Sequence, residues 1–140
     1  MAFGTAGALA MLGWLGLLIS LFAPQLRGGA TATARFLIPA LIGIAYVVLL
    51  MQGWGKAPGA GFGSIEQVRA LFSVDASLAA GWLHYLAFDL FIGSWIVTDG
   101  LELGVRRLLL VPCLVLTFLF GPAGLLLYLS LRLVTPRKAG

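Results

Sequence analysis

Four apolar stretches take up most of the chain between Phe3 and Leu133. Each has about the 20 residues that a helix needs to cross a hydrocarbon core. Four such spans nearly exhaust the 140 residues, so the chain reads as a single domain, residues 1–140. Charged residues make up 10% of the chain, against about 25% in soluble domains. Too few polar groups remain to cover a water-facing surface, so lipid must supply much of the surroundings. The expected fold is all-α: an integral membrane bundle of four transmembrane helices, with a short amphipathic helix before the third. The expected location is a bacterial inner membrane, crossed several times.

The net charge of +4 comes from Arg and Lys flanking the apolar runs. That placement suits lipid headgroups. Nucleic acid is excluded as a partner, because no basic cluster is interleaved with aromatics. Cys113 is the only cysteine, so there is neither an internal disulfide nor a cysteine metal motif, and no resident metal or cofactor is expected. The run from Phe3 has no charged segment before it and is long for a signal-peptide core. It is expected to remain as a span, although Ala30-Thr31-Ala32 follows it in a cleavage-like pattern.

The first helix is expected over Phe3–Ala23, followed by a loop from Pro24 to Arg35. The second runs from Phe36 to Trp54, with Pro39 tolerated in its first turn. Gly53–Gly63 is a connector rich in Gly and Pro. Ser64 followed by Gln67 matches a capping box and opens the amphipathic segment Ser64–Ser73. A third helix over Asp75–Thr98 ends at the turn signal Asp99-Gly100. The fourth, Val105 to Leu133, is interrupted at Gly121-Pro122-Ala123-Gly124. Freed carbonyls in hydrocarbon need partners, so this break should face protein, water or ligand. Orientation is nearly balanced. Arg27, Arg35, Arg106 and Arg107 lie on one side, with Lys56, Arg69, Arg132, Arg137 and Lys138 on the other. Extra weight on the first helix puts Arg27 and Arg35 inside.

The third helix carries the polar groups that call for an explanation. Asp89 lies about 21 Å from its start and about 14 Å from its end, with His84 near the middle. A carboxylate at such depth is costly unless it is protonated or paired, which makes Asp89 a functional candidate. A structural hydrogen bond to a neighbouring helix is the competing account. Asp75, Trp82 and Asp89 recur every seven residues and share a stripe. Tyr85 borders it, and Gly93 leaves room beside the carboxylate. His84 falls about 140° from Asp89 around the helix, so the two should not touch. For His84 three roles stay open: a structural hydrogen bond, contact with a ligand or substrate, and ligation of a pigment magnesium. Ser77/Gly81 and Ala76/Ala80 are small pairs that suit close helix packing. Trp82, Tyr85, Phe88, Phe91 and Trp95 could line a long apolar slot, or serve simply as packing.

Three segments are distinctive: Phe62-Gly63-Ser64-Ile65-Glu66-Gln67-Val68-Arg69-Ala70-Leu71-Phe72, His84-Tyr85-Leu86-Ala87-Phe88-Asp89-Leu90-Phe91, and Thr117-Phe118-Leu119-Phe120-Gly121-Pro122-Ala123-Gly124. Together they resemble the abscisic-acid-deficient-four-like family, whose plant members are linked to neoxanthin synthesis. The resemblance implies a carotenoid-related membrane protein that isomerises the epoxy-carotenoid violaxanthin to an allenic product. Such an isomerase needs an acid for the epoxide oxygen and a base for a vinylic proton. The catalytic candidates are Asp89 as acid, His84 or Glu66 as base, and Arg69 as a hold on an oxyanion or hydroxylated ring. Trp82, Tyr85, Phe88, Gly121 and Pro122 are the candidate ligand-binding residues, with a carotenoid or other long apolar molecule as ligand. The alternative is a non-catalytic pigment-binding protein or an accessory subunit of a photosynthetic or other membrane complex, with a membrane-protein partner or a second copy of itself. An enzyme needs two ionisable groups converging on one cavity, whereas a binding subunit needs only the slot.

Overall fold

The computed structural model describes residues 2–135, and Arg137 and Lys138, counted above for orientation, lie outside them. All regular structure among the described residues is helical. Helix α1 spans Ala2–Phe22. Helix α2, Pro24–Ala32, follows after one residue and passes through a π-helical turn, Thr33–Leu37, into α3, Ile38–Gly53.

Pro24–Arg35 is therefore not the loop expected from its Pro and Gly residues. Pro24 stands at the first helical position, where its missing N–H is no loss. The helix it starts lies back along α1, with Gly16 opposite Ala30. The π-turn has a local cause. In an α-helical register Pro39 would face the Arg35 carbonyl without an N–H to offer. One extra residue in the preceding turn, with the Ile38 N–H donating to Thr33 O, shifts that register.

The connector after Gly53 is irregular, as expected, and leads to α4, Ile65–Leu71. Its cap is reciprocal: the Ser64 hydroxyl accepts from the Gln67 N–H, and Gln67 Oε1 accepts from the Gly63 N–H at 2.9 Å. No residue of α4 is buried. Helix α5 runs from Asp75 to Glu102, four residues past the expected end at Thr98. Asp99 and Gly100 lie inside it, and the chain turns only at Leu103–Gly104. Asp99 is held by side chains of the last helix, and Gly100 packs on Leu110 and Tyr128. Tertiary partners have overridden the turn preference of Asp-Gly.

Three helical runs, Phe3–Phe22, Pro24–Gly53 and Asp75–Glu102, are long and apolar enough to cross a membrane. Many large apolar side chains on them face outward, among them Leu12, Phe36, Ile44 and Met51. The chain is a membrane protein by these features. Helix α5 is the axis. Phe3 meets Trp82 and Trp14 meets Gly93, so α1 runs parallel to it. Arg35 meets Ser94 and Thr98, Tyr46 meets His84, and Gly53 meets Ser77, so α3 runs antiparallel.

The fourth helix, expected from Val105 to Leu133 with an interruption at Gly121-Pro122-Ala123-Gly124, is divided there into two, α6 (Arg107–Phe120) and α7 (Pro122–Val134). Leu110 lies at Gly100, Phe118 at Tyr85, Gly121 at Asp89, and Tyr128 again at Gly100. The chain thus descends along α5 and returns, forming an antiparallel hairpin whose two limbs are each about 20 Å long. Gly121 makes the reversal with φ +38°, a conformation that favours glycine. Gly124 lets the limbs close, because a Cβ there would lie 2.1 Å from Thr117 N and 2.6 Å from Cys113 O.

Both of those clashing atoms are backbone, so Gly124→Ala should cost at least the about 3 kcal/mol at the upper end of overpacking, read as a lowered melting midpoint in detergent. Gly28→Ala, with nothing within 4 Å of the added carbon, should change it by no more than about 0.5 kcal/mol. The hairpin also predicts sidedness. Cysteines placed at the exposed Leu108 and Leu133 should react with an impermeant thiol reagent from the same side of the membrane. A continuous fourth span would expose them on opposite sides.

Candidate functional site

The hairpin tip meets the middle of α5 at a carboxyl group. A Cβ on Gly121 would lie 2.7 and 2.8 Å from the two Asp89 carboxylate oxygens, so the carboxylate rests against the bare backbone of the turn. Gly121 is also the N-cap of α7, and the positive end of a helix dipole favours an anion there. Tyr85, one turn before Asp89, sends its hydroxyl to the Phe118 carbonyl at 3.1 Å. The Gly121 N–H donates to Thr117 O at 2.9 Å. Two of the carbonyls left open at the end of α6 are thereby satisfied within the protein. The expectation that the break faces protein holds for this side of it.

Asp89 itself is only half-served. The residue is partly buried, and its Oδ2 is fully covered with no hydrogen-bond partner. The Tyr85 hydroxyl lies within hydrogen-bonding reach of the carboxylate as well as of the Phe118 carbonyl, and its one proton can serve only one of them at a time. A carboxyl so placed has an unused acceptor, or an unused donor when protonated.

Below the hairpin tip no limb of α6 or α7 accompanies α5. Trp82 stacks on Tyr85 at 5.2 Å and on Phe3 at 6.3 Å, and a groove of about 350 Å³ lies among Phe3, Asp75, Leu78, Ala79 and Trp82. The groove ends at Trp82; beyond it the stripe Asp75–Trp82–Tyr85–Asp89 continues along the same side of α5 to the carboxyl, about 21 Å in all at 1.5 Å per residue.

His84 faces elsewhere. It lines a second groove of about 310 Å³ between α3 and α5, with Pro39, Gly43, Tyr46, Phe88 and Phe91. Its ring stacks on Phe88 at 4.4 Å and lies 6.0 Å from Tyr46. Of the candidate residues, Trp82, Tyr85, Gly121 and Pro122 therefore belong with Asp89, while Phe88 belongs with His84. Glu66 and Arg69 join neither group. Both are exposed on α4, and among the described residues neither forms an ion pair or hydrogen bond with Asp89 or His84. The Glu66 carboxyl is held below the usual range by its own backbone N–H and the Ser64 hydroxyl, which is the work of a helix cap.

Sequence reasoning missed two polar ties. Arg35 donates to Ser94 Oγ (3.1 Å), Ser94 O (3.1 Å) and Thr98 Oγ1 (2.7 Å), fastening the π-turn to α5. Asp99 accepts from the Tyr128 hydroxyl and from Arg132 Nε at 2.8 Å, fastening α7 to α5. The available signal was Tyr128 and Arg132 four apart on one helical face, opposite an acid inside an apolar run.

These features define a class: an all-helical membrane protein whose broken terminal hairpin covers an acidic residue at mid-depth. Residues 1–128 match the family model described as ABA DEFICIENT 4-like, and the chain belongs to that family. Membership relates it to the carotenoid and abscisic-acid pathway. No curated protein and no solved structure matches it.

The Asp99 cluster generates a stability prediction. Asp99→Asn and Arg132→Gln should each lower stability modestly, because the pair is partly exposed, and Asp99→Asn by more, because the Asp99 carboxylate also accepts from Tyr128. The double variant should cost less than the sum of the two singles, as measured by thermal or denaturant unfolding in detergent. Strict additivity would mean that α7 does not dock on α5 through this pair.

Proposed function

We propose that the protein is a carotenoid isomerase whose reacting group is Asp89. In this reading α1, the α2–α3 run and α5 cross the bilayer, the α6–α7 hairpin enters and leaves on one side, and α4 lies at the opposite surface. One observation carries the reading: a carboxyl oxygen that forms no hydrogen bond, at the middle of α5, one turn beyond the stacked rings of Trp82 and Tyr85. The substrate class we propose, an epoxy-carotenoid such as violaxanthin, is the one that the resemblance to the plant members implies, and family membership supports it.

The chemistry can run on one carboxyl. Its proton passes to the epoxide oxygen as the C–O bond to the polyene-bearing ring carbon breaks. Its other oxygen takes the proton from the neighbouring vinylic carbon as the allene forms. The oxygen stays on the adjacent ring carbon as a hydroxyl, so atoms and electrons balance and the carboxyl is regenerated. Tyr85 holds the hairpin tip over the carboxyl, and Trp82 offers its face to the polyene. Gly121 and Pro122 roof the site. His84 and Glu66, expected as bases, are supported less well than Asp89 itself, because they lie on other surfaces.

A second reading rests on the α3–α5 groove. It is lined by rings and by His84 but by no carboxyl, which favours non-catalytic pigment binding, alone or as a subunit of a larger membrane assembly.

Expression in a violaxanthin-producing host separates the two readings. An isomerase yields an allenic carotenoid in the membranes. Asp89→Asn should lower that product by about a hundredfold or more, the usual weight of general acid–base catalysis, while His84→Ala spares it. Product persisting in Asp89→Asn would sink the assignment. Stoichiometric co-purified carotenoid with no new product, lost on His84→Ala, would establish the binding reading instead.

A further inference from the structure

The opposite end of the bundle from α4 gathers more positive charge than acid: Arg27, Arg106 and Arg107 stand there with Glu102, which is exposed at the end of α5. Here α1 ends at Phe22, α2 makes its first turns, and α5 passes into α6. Arg27, Arg106 and Arg107 line a cavity of about 680 Å³ with Phe22, Val105 and Leu108. Arg27 Nε donates to Ser20 O at 3.3 Å, which anchors its side chain on α1. Its Nη2 is buried and has no hydrogen-bond partner. Among the described residues the one ion pair is Arg132–Asp99, so none of these three guanidinium groups has a carboxylate within 4 Å.

We propose that this cavity binds the phosphodiester headgroup of an anionic lipid. A buried guanidinium N–H left unpaired is costly, and phosphate oxygens suit the fork of an arginine. Three cations, none of them in an ion pair with the exposed Glu102 at the end of α5, outnumber the acid beside them and favour an anion. The ligand is a lipid and not a free phosphate because of the rest of the wall. Phe22 and Leu108 are exposed apolar side chains beside the arginines, at the end of helices that are apolar throughout. They offer a surface to glycerol and the first acyl carbons that a small inorganic ion would not use. Basic pockets between membrane helices on the cytoplasmic side bind anionic headgroups in this way. The position also agrees with the orientation expected from Arg27. The proposal is independent of the carotenoid reading, since it involves neither Asp89 nor His84.

The test uses the purified full-length protein in neutral detergent. Lipid adducts are counted by native mass spectrometry and melting is followed during titration with phosphatidylglycerol, phosphatidylcholine or inorganic phosphate. Phosphatidylglycerol should raise the melting midpoint with a half-saturation about tenfold below that of phosphatidylcholine. Arg106→Gln/Arg107→Gln, which leaves the Arg27–Ser20 bond in place, should weaken the phosphatidylglycerol response by about tenfold or more. Lys56→Gln, removing one charge from the far end, should leave it unchanged. Equal responses to the two lipids, or an undiminished response in Arg106→Gln/Arg107→Gln, overturn the proposal. A full response to phosphate alone, with nothing added by phosphatidylglycerol, also overturns it by assigning the cavity to a free anion. If the double variant does not fold, the ratio of phosphatidylglycerol to phosphatidylcholine adducts on the wild type decides, and a ratio near one overturns the proposal.

Discussion

Hydrocarbon offers no hydrogen bonds, and the consequences of that fact run through the whole bundle. A helix broken in lipid would leave carbonyls and N–H groups unpaired at several kcal/mol each. The hairpin between α6 and α7 is tolerable because α5 runs beside it. Tyr85 serves the Phe118 carbonyl, and Gly121 closes back on Thr117. The hydroxyls of Ser20, Ser94 and Thr117 bond to carbonyls of their own helices. Most polar groups of the interior are thereby satisfied, so the exceptions stand out.

Helix α5 has different neighbours around its circumference, and this divides the chemistry. One side meets α1 and the hairpin and carries Asp89. The other meets α3 and carries His84 in a groove of aromatic rings. Two ionisable side chains five residues apart on one helix therefore serve separate surfaces, as helical geometry requires. Any acid–base chemistry at Asp89 must use the carboxyl with nearby backbone and hydroxyl groups. That restriction favours a reaction in which proton delivery and removal occur on neighbouring atoms of one substrate, which an epoxide opening to an allene satisfies.

Much of this was legible in the residues. Apolar run lengths gave the first, second and third helices, the Ser64–Gln67 spacing gave the cap of α4, and Gly121-Pro122 marked the break. The heptad stripe placed Asp89 with Trp82 and apart from His84. The direction of the chain after the break was not legible, because an apolar run of this length reads equally as one span or two half-length limbs. What decides between them is Gly124 against Thr117 and Tyr128 with Arg132 against Asp99, pairings separated by up to 33 residues. Asp99-Gly100 misled for the same reason: its local preference is for a turn, and the partners that keep it helical come from α7. The Pro24–Arg35 segment misled differently. Its Pro and Gly residues signal a loop in water, but in an apolar bundle helix is the cheaper way to satisfy the backbone.

Among the described residues two buried side-chain polar atoms form no hydrogen bond, Asp89 Oδ2 and Arg27 Nη2. They are of opposite charge, yet they cannot serve each other. Arg27 shares its cavity with Leu101, twelve residues beyond Asp89 along α5, or about 18 Å. In the two readings proposed above, each is completed by a molecule from outside the protein. There the carboxyl, one turn beyond the stacked rings of Trp82 and Tyr85, takes a long molecule bearing a polar oxygen, and the guanidinium, beside two further arginines, takes an anion. A membrane supplies both kinds of molecule at the corresponding depths, the first dissolved among the acyl chains and the second at the headgroups. The two unsatisfied atoms thus sit where the bilayer's own components can complete them.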